Sequence, residues 1–320
     1  MSMNGHSYPV VQGVPVLLTA SDDPTLWVAN ASLNSAYGEK KHWYLETLGI
    51  TPEQLSLLRN HIAETNELPQ TEQIDPVVSF LVGATCGHLY TSEIGKIQVL
   101  PTTQIPLPVN ENNKLLIDVG CGWGRWSFAA ARKGYRVIGI DPSLGAVLAA
   151  KRTAKKLGLD IDFVVADARV LPFGTNTFDT VYSYSVLQHF SKNHFIQALS
   201  DLARCAKPDA EVVIQLPNKF GIRNLYHQAK RMFRPAIGFD VRYYSPAQLR
   251  GIFQEHFGNP NFSVDGFFGL NIQPSDMEMM STPKKAVIQM SSALKFLSNW
   301  IPGSYYLADS LFLSASKTKK

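Results

Sequence analysis

The sequence has few cysteines, no long hydrophobic run and little net charge. Its three cysteines, Cys86, Cys121 and Cys205, include no CxxC pair, and this spacing argues against a zinc site or a disulfide framework. No apolar run approaches the ~18 residues that a membrane-spanning helix needs. The first residues lack the basic stretch and apolar core of a secretory signal. A cytoplasmic location and no bound metal are therefore expected.

A formal net charge of +4 is too small to indicate a nucleic-acid partner by itself. The 320 residues, 45% of them hydrophobic and 18% charged, have the composition of an ordinary globular protein. This length exceeds that of one compact core, so it predicts one full domain plus an accessory region of roughly 100 residues.

The boundary between the two regions is predicted near residue 105. Three prolines and three asparagines fall between residues 100 and 113, a composition typical of a linker. We therefore assign residues 1–105 to an N-terminal accessory region and residues 106–320 to the main domain. The accessory region contains a strand-like run at residues 9–18 and a helix-like segment from Pro52 to Glu64.

From Leu115 onward, short apolar runs alternate with helical patterns. This alternation is typical of an α/β fold, in which a mostly parallel sheet carries helices on both faces. One helix is predicted from Trp126 to Lys133, where Gly134 ends it. The predicted strands of this Rossmann-like sheet are seven: residues 115–119, 136–140, 162–166, 178–184, 211–216, 262–267 and 310–316.

A glycine-rich loop follows the first of these strands, in the sequence DVGCGWGR. Asp118 stands at the end of the strand, and Gly120, Gly122 and Gly124 lead into a helix. Glycine at such positions allows unusual backbone dihedrals and the close approach of a ligand to bare backbone. Dinucleotide-binding folds also use a glycine loop, but their GxGxxG pattern needs a glycine where this sequence has Arg125.

Two further carboxylates narrow the choice of cofactor. Asp141 falls just after the second strand, where a carboxylate can accept hydrogen bonds from both ribose hydroxyls of an adenosine. That placement fits S-adenosylmethionine (SAM) and NAD alike. Asp167 falls just past the third strand, where it can take the adenine amino group, which nicotinamide sites do not ordinarily require. The three carboxylates together favour SAM.

With these motifs in this order, residues 110–216 resemble the class I SAM-dependent methyltransferases, in particular the small-molecule branch related to ubiquinone-biosynthesis methyltransferases. The resemblance implies a Rossmann-like seven-stranded sheet and SAM as cofactor. It also implies that Gly120, Cys121 and Gly122 contact the methionine part through backbone atoms, that Asp141 binds the ribose and Asp167 the adenine, and that Ser183 binds the methionine amine through its carbonyl. Asp118 and Ala168 complete the predicted cofactor-binding set.

His189 is the candidate catalytic residue, because it follows the fourth strand, where similar enzymes place residues beside the transferred methyl group. A neutral imidazole there can act as a general base towards a hydroxyl or an amine. The alternative is that His189 caps a helix or packs structurally.

Residues 217–244 form an insertion after the fifth strand, and residues 269–308 form a second; both are predicted to cap the domain. In the first, apolar residues recur at helical spacing and the other helix face is basic. The basic face fits a lid for an anionic substrate, a contact with anionic lipid or RNA, or an ordinary solvated surface. Arg223, Arg242 and Tyr243 are the candidate substrate residues, and Lys284 to Trp300 is a predicted helix. The apolar residues are Ile222, Leu225, Tyr226, Ala229, Met232 and Phe233; the basic ones are Arg223, His227, Lys230 and Arg234.

These patterns predict a methyltransferase that moves a methyl group from SAM to a small or lipid-like acceptor, at oxygen. RNA methylation is the alternative that the basic helix favours, although residues 183–186 read SYSV rather than an NPPY-type tetrapeptide. A catalytically silent SAM-binding subunit that regulates a partner is a second alternative. An NAD-dependent oxidoreductase is the third.

Overall fold

A computed structural model gives the structure of the chain. It describes residues 2–3, 6–19, 27–39, 41–65, 74–86, 90, 93–94, 96–97, 99–268 and 273–318. Among these residues, no helix is both long enough and apolar enough to cross a membrane.

The fold is α/β, as the sequence predicts. The strands are β1 (Ser2–Met3), β2 (His6–Ser7), β3 (Val10–Val11), β4 (Val14–Leu17), β5 (Leu115–Val119), β6 (Arg136–Asp141), β7 (Ile161–Ala166), β8 (Phe178–Tyr184), β9 (Ala206–Pro217), β10 (Asn261–Gly266) and β11 (Ser310–Ser316). The main sheet has nine strands in the order β10-β11-β9-β8-β5-β6-β7-β4-β3, and β1 and β2 form a separate pair.

The α-helices are α1 (Trp27–Tyr37), α2 (Pro52–Thr65), α3 (Pro76–Thr85), α4 (Arg125–Arg132), α5 (Leu144–Lys156), α6 (Lys192–Cys205), α7 (Ile222–Lys230), α8 (Pro246–His256) and α9 (Thr282–Ser298). Short 3-10 helices cover Leu45–Thr47, Leu187–His189, Pro274–Met279 and Ser304–Tyr306. The chain divides into two compact units, one of residues 1–113, 120–167 and 274–279, the other of residues 114–119, 168–273 and 280–320.

In the first unit, the N-terminal residues extend the sheet. β6 pairs in parallel with β7, and β7 pairs in parallel with β4, with Val16 opposite Val165. β3 and β4 form a hairpin whose turn residues Gln12 and Gly13 both have positive φ, 49° and 74°, as the turn favoured in tight hairpins requires. Lys151 of α5 donates to both turn carbonyls, at 3.1 and 2.9 Å.

The start of α5 is fixed by the N-terminal residues of the same unit. The backbone N–H of Leu144 donates to Ser32 Oγ at 3.0 Å, and that of Gly145 donates to Thr47 Oγ1 at 2.8 Å. Ser143 caps the helix through the N–H of Ala146. Two N–H groups that the helix itself cannot satisfy are thus satisfied by side chains distant in sequence.

In the second unit, β5, β8 and β9 are parallel neighbours, and Val119 lies opposite Ser183. β11 pairs antiparallel with β9, and β10 pairs antiparallel with β11. Most residues of β5 and β8 are buried, as expected for parallel strands that are covered on both faces. The buried residues include polar ones, such as Asp118 in β5 and Thr180 in β8.

The predicted number of strands was wrong. All seven predicted strands are present, as β5 to β11, but the main sheet has nine because β3 and β4 add to it. The apolar run at residues 9–18 marks these two strands. β3 pairs with β4, and β4 pairs with β7, about 150 positions further along the chain. Local patterning does not reveal the pairing of β4 with β7.

The predicted basic helix of the first insertion is also shorter and differently oriented than its pattern indicates. α7 ends at Lys230, and Met232 and Phe233 have φ of 52° and 55°. Its buried residues are Asn224 and Gln228, whereas Ile222, Leu225 and Tyr226 are exposed. Two hydrogen bonds decide this orientation: one from Asn224 to the carbonyl of Asp309, 85 positions away, and one from Gln228 to the carbonyl of Lys219.

Candidate cofactor and catalytic site

The glycine loop of the first unit is held against the end of β6. The N–H groups of Gly120 and Cys121 both donate to the carbonyl of Ile140, at 2.8 and 2.9 Å. Gly122 has φ +51°, and a Cβ placed on it would meet no atom within 4 Å. At Gly124, φ +92°, a Cβ would lie 2.6 Å from the Phe128 ring. Packing against Phe128 thus requires a glycine at position 124, whereas the backbone of Gly122 is open to the approach of a ligand.

Asp141 ends β6 and orients this loop. Its Oδ2 accepts a hydrogen bond from the N–H of Gly122 at 3.0 Å, and its Oδ1 accepts one from the N–H of Ser143 at 2.9 Å. Desolvation raises the pKa of Asp141 to about 6, and the two N–H donors oppose this rise. Each carboxylate oxygen keeps a second lone pair, so both can still accept from ribose hydroxyls.

Asp167 lies at the same end of the neighbouring strand as Asp141. Asp141 is opposite Val165 in the parallel pairing of β6 and β7, and Asp167 follows β7 directly. The structure therefore brings Gly120, Cys121, Gly122, Asp141 and Asp167 to one edge of the first unit. Open backbone at Gly122, an acceptor pair on Asp141 and a further carboxylate suit an adenosine-containing cofactor.

The second unit holds the other predicted cofactor residues. Asp118 is buried within β5, one residue before the strand ends, and Ala168 is buried after Asp167. Ser183 is buried at the end of β8, where its Oγ donates to the carbonyl of Val119 at 3.1 Å. Ser183 thus joins the carboxyl ends of β5 and β8.

His189 ends the short 3-10 helix after β8. Its Nδ1 lies 2.8 Å from the carbonyl oxygen of Phe239, and its ring stacks on the Phe239 ring at 4.1 Å. A carbonyl can only accept, so Nδ1 carries the proton and Nε2 is left as the acceptor nitrogen. Burial lowers the pKa of His189. A neutral imidazole with a basic Nε2 is the form that a general base needs.

Arg242 lies beside His189, and its guanidinium donates hydrogen bonds to nearby backbone carbonyls. Arg242 Nη1 donates to the carbonyl of His189 at 2.7 Å and to those of Gly238 and Asp240 at 3.2 and 3.0 Å. The backbone N–H of Arg242 donates to the carbonyl of Gln188. Arg242 therefore fixes the loop that contains Phe239 against the segment of His189, a positioning role that the sequence did not reveal.

Tyr243 and Arg223, the other predicted substrate residues, have separate surroundings. The guanidinium of Arg231 lies over the Tyr243 ring at 5.9 Å, and burial raises the pKa of Tyr243. Arg223 donates to the carbonyl of Phe268 at 3.1 Å and to His227 Nε2 at 3.3 Å. Among the described residues, Arg223 forms no hydrogen bond with His189 or Arg242.

A buried ionic network beside the glycine loop was not predicted. Arg125, the first residue of α4, forms an ion pair of 2.8 Å with Asp276, and its Nε donates to Thr103 Oγ1 at 3.1 Å. The hydroxyl of Tyr90 also donates to Asp276. Arg125, the residue that excludes the GxGxxG pattern, thus fixes the first turn of α4 to Thr103 and to Asp276 of the second insertion.

Comparisons with known proteins found similar sequences and structures. Residues 116–209 match a family model described as a methyltransferase domain. The chain is 28% identical over 164 residues to the ubiquinone biosynthesis O-methyltransferase of Rhizobium rhizogenes, a match that covers 42% of this chain and 65% of that protein. It is 34% identical over 125 residues to the demethylmenaquinone methyltransferase of Renibacterium salmoninarum, covering 38% and 50%. A SAM-dependent methyltransferase structure from Methanosarcina mazei aligns with a TM-score of 0.49 and 18% identity, over 66% of this chain and 96% of that one.

Residues 116–209 form a domain of the class I SAM-dependent methyltransferase family, and the cofactor of this domain is SAM. The matches span at most 65% of the length of the curated relatives named above. The two insertions, at residues 217–244 and 269–308, lie outside the matched segment. Residues 269–272 of the second insertion also lie outside the described residues.

Proposed function

We propose that the protein transfers a methyl group from SAM to a small or lipid-like acceptor, at an oxygen. The observation that carries the proposal is the connection of the open glycine loop to Asp141, through the hydrogen bond from Gly122 N–H at 3.0 Å. The named relatives, which are a ubiquinone biosynthesis O-methyltransferase and a demethylmenaquinone methyltransferase, support a small-molecule acceptor.

Each predicted cofactor residue has a role in this proposal. SAM, when bound, supplies an electrophilic methyl group on a sulfonium. Asp141 accepts hydrogen bonds from the ribose hydroxyls, and Asp167 accepts one from the adenine amino group. The methionine part contacts the backbone of Gly120, Cys121 and Gly122 and the carbonyl of Ser183. Asp118 and Ala168 complete the set.

The chain's own catalytic task is to place the acceptor in line with the methyl group and to take its proton. His189 is the proposed base, because Nε2 is its acceptor nitrogen and burial keeps the imidazole neutral. Arg223, Arg242 and Tyr243 are the proposed acceptor-binding residues. In this proposal Arg242 acts chiefly by holding His189 in place, since carbonyl groups occupy its Nη1.

We also propose the division of the chain into an accessory region at residues 1–105 and a main domain at residues 106–320. Both insertions are proposed to cap the main domain. Hydrogen bonds from α5 to Ser32 and Thr47 support an accessory region that stabilises the cofactor-binding strand and helix.

The test is transfer of labelled methyl from SAM into fractionated cell extract, with protein, nucleic-acid, lipid and small-molecule pools counted separately. Asp141→Ala should weaken SAM binding by about 1–3 kcal/mol through lost hydrogen bonds and lower the incorporation of label. Asp162→Ala is the matched control, because Asp162 is an exposed aspartate on the neighbouring strand β7.

Label in the lipid or small-molecule pool supports the proposal. Label in RNA would contradict the acceptor class, and SAM binding without label in any pool would indicate a silent subunit instead.

A further inference from the structure

The side of α7 that faces solvent carries the large apolar residues of the helix, while two of its polar residues, Asn224 and Gln228, are buried. Asn224 Nδ2 donates to the carbonyls of Asn218 and Asp309, at 2.8 and 2.7 Å. Gln228 Nε2 donates to the carbonyl of Lys219 at 2.8 Å. These hydrogen bonds hold the polar side of the helix against the unit, so the exposed side is the one that carries the large apolar residues.

Exposed apolar side chains continue beyond α7. Met232, Phe233, Ile237 and Phe239 are each 64–77% exposed. Together with Ile222, Leu225 and Tyr226 they exceed the scattered single apolar residues that protein surfaces ordinarily show. An apolar surface of this kind indicates a partner.

The same segment is basic throughout. Residues 212–239 contain five lysines and arginines and no aspartate or glutamate. The cations are Lys219, Arg223, Lys230, Arg231 and Arg234. The nearest acid that follows, Asp240, lies 3.9 Å from Arg231. Positive charge is therefore interleaved with the exposed apolar side chains.

α9 and the residues after it have the same character. Residues 280–308 contain Lys284, Lys285 and Lys295 and no acidic residue. Exposed apolar side chains follow the helix and its end: Val287, Met290, Phe296, Leu297, Trp300, Ile301 and Leu307. Trp300 is 75% exposed, which is unusual for the largest amphipathic side chain, one that prefers membrane–water interfaces.

Hydrogen bonds join these two segments within the second unit. Asn218 Nδ2 donates to the carbonyls of Tyr306 and Ala308, at 2.7 and 2.8 Å. The carboxylate of Asp309 accepts from the first N–H groups of α7, those of Arg223 and Asn224, at 2.8 and 3.1 Å. We call residues 219–239 and 284–307 together the basic apolar surface.

We propose that the basic apolar surface binds the headgroup region of an anionic lipid membrane, with α7 and α9 lying on the bilayer. Apolar side chains enter the boundary with the acyl chains, and the lysines and arginines meet lipid phosphates. A second copy of the chain is a poorer partner, because pairing of this surface with itself would bring its cations together. RNA would use the charge but leave most of the aliphatic side chains without a partner.

The experiment is sedimentation of the full chain with vesicles of phosphatidylcholine alone and of equal parts phosphatidylcholine and phosphatidylglycerol. We expect binding to the anionic vesicles that weakens with salt. The double variants Phe233→Ser/Trp300→Ser and Lys230→Glu/Arg234→Glu should each lower the vesicle-bound to free ratio at least about tenfold. The controls replace exposed residues outside this surface: Leu57→Ser in α2 and Lys155→Glu in α5. Both should keep the vesicle-bound to free ratio of the wild type.

The replaced side chains are exposed, so all variants should unfold at the wild-type temperature. Binding that is equal in the surface variants and the wild type would overturn the proposal. So would an absence of binding to anionic vesicles, salt-dependent binding to RNA alone, or a dimer in solution that Phe233→Ser/Trp300→Ser dissociates. Because vesicle binding is measured without SAM or acceptor, its failure would leave the proposed methyl transfer standing.

Discussion

The ionisation of Asp141 predicts a pH dependence of cofactor binding. Its pKa in the free protein is raised to about 6, above the value of 3.8 expected in an unfolded chain. Ribose hydroxyls donate to the ionised carboxylate, so SAM binding favours loss of the proton. The affinity for SAM should therefore be constant above pH 7 and fall as the pH drops below about 6, by up to about tenfold per pH unit.

Calorimetric titration with SAM between pH 5 and 8 measures this effect, and Asp141→Asn should bind weakly without the acidic decline. The same acidic decline in the variant would show that another group is responsible. Stability of the free protein changes in the opposite sense. Since the folded pKa is the higher one, ionisation of Asp141 costs stability above pH 6, and the cost disappears below about pH 3.8.

The role of His189 predicts a separation of turnover from cofactor binding. If Nε2 takes the proton of the acceptor, His189→Ala should lower kcat by roughly 10²–10⁴-fold and leave the Kd for SAM unchanged. Because burial lowers its pKa, the acidic limb of kcat should lie below the ordinary histidine range. Rate measurements on the labelled acceptor pool test both points, and unchanged turnover in His189→Ala would exclude this base.

At the scale of single residues, the sequence predicts the positions of those site residues that are set by their near neighbours along the chain. The glycine loop, Asp141 and Asp167 follow strand ends at fixed spacing, and their placement in the structure agrees with that spacing. Arg125 and Asp276 are 151 positions apart, and no local pattern marks them as partners. For the same reason, the sequence does not predict the hydrogen bond from Arg242 to the carbonyl of His189.

At the scale of elements, Gly145 determines how closely the N-terminal segment packs on α5. A Cβ at this position would lie 2.6 Å from the carbonyl oxygen of Tyr44, a backbone atom. Gly145→Ala should therefore lower the free energy of unfolding by about 1–3 kcal/mol, although alanine is the better helix former. Urea denaturation followed by circular dichroism measures the change.

Gly251 provides the control for helix propensity. It lies within α8, and a Cβ there would meet no atom within 4 Å. Gly251→Ala should raise the free energy of unfolding by about 0.5–1 kcal/mol. A Gly145→Ala variant that is as stable as the wild type, or that gains stability as Gly251→Ala does, would contradict the close approach of Tyr44 to α5.

Helices and strands were predictable from the sequence where the residues within the element determine its structure. Six of the seven strands β5 to β11 were predicted within one residue of their observed bounds, whereas β9 begins at Ala206, five residues before its predicted start. The pattern of α7 predicted a helix but not its buried side, because the Asn224 side chain donates to the carbonyl of Asp309, 85 positions away. Periodicity assumes that apolar residues face the protein, and α7 violates that assumption.

At the scale of the whole molecule, the N-terminal residues are structural partners of the cofactor-binding strands rather than a loose appendage. β4 covers the edge of β7, and Thr103 and Tyr90 join the network of Arg125 and Asp276. An uncovered strand edge exposes unpaired backbone groups and promotes aggregation. A buried arginine that loses its partners is costly as well.

These contacts predict the behaviour of a chain shortened to residues 106–320, the predicted main domain. The fragment would lose the partner strand of β7 and the caps of α5 that Ser32 and Thr47 provide. We expect it to aggregate or to unfold at least about 10 °C below the full chain, and to bind SAM weakly because α5 follows Asp141 directly. Scanning calorimetry, together with titration by SAM, compares the two. A fragment with the unfolding temperature and SAM affinity of the full chain would show instead that residues 106–320 are an independent domain.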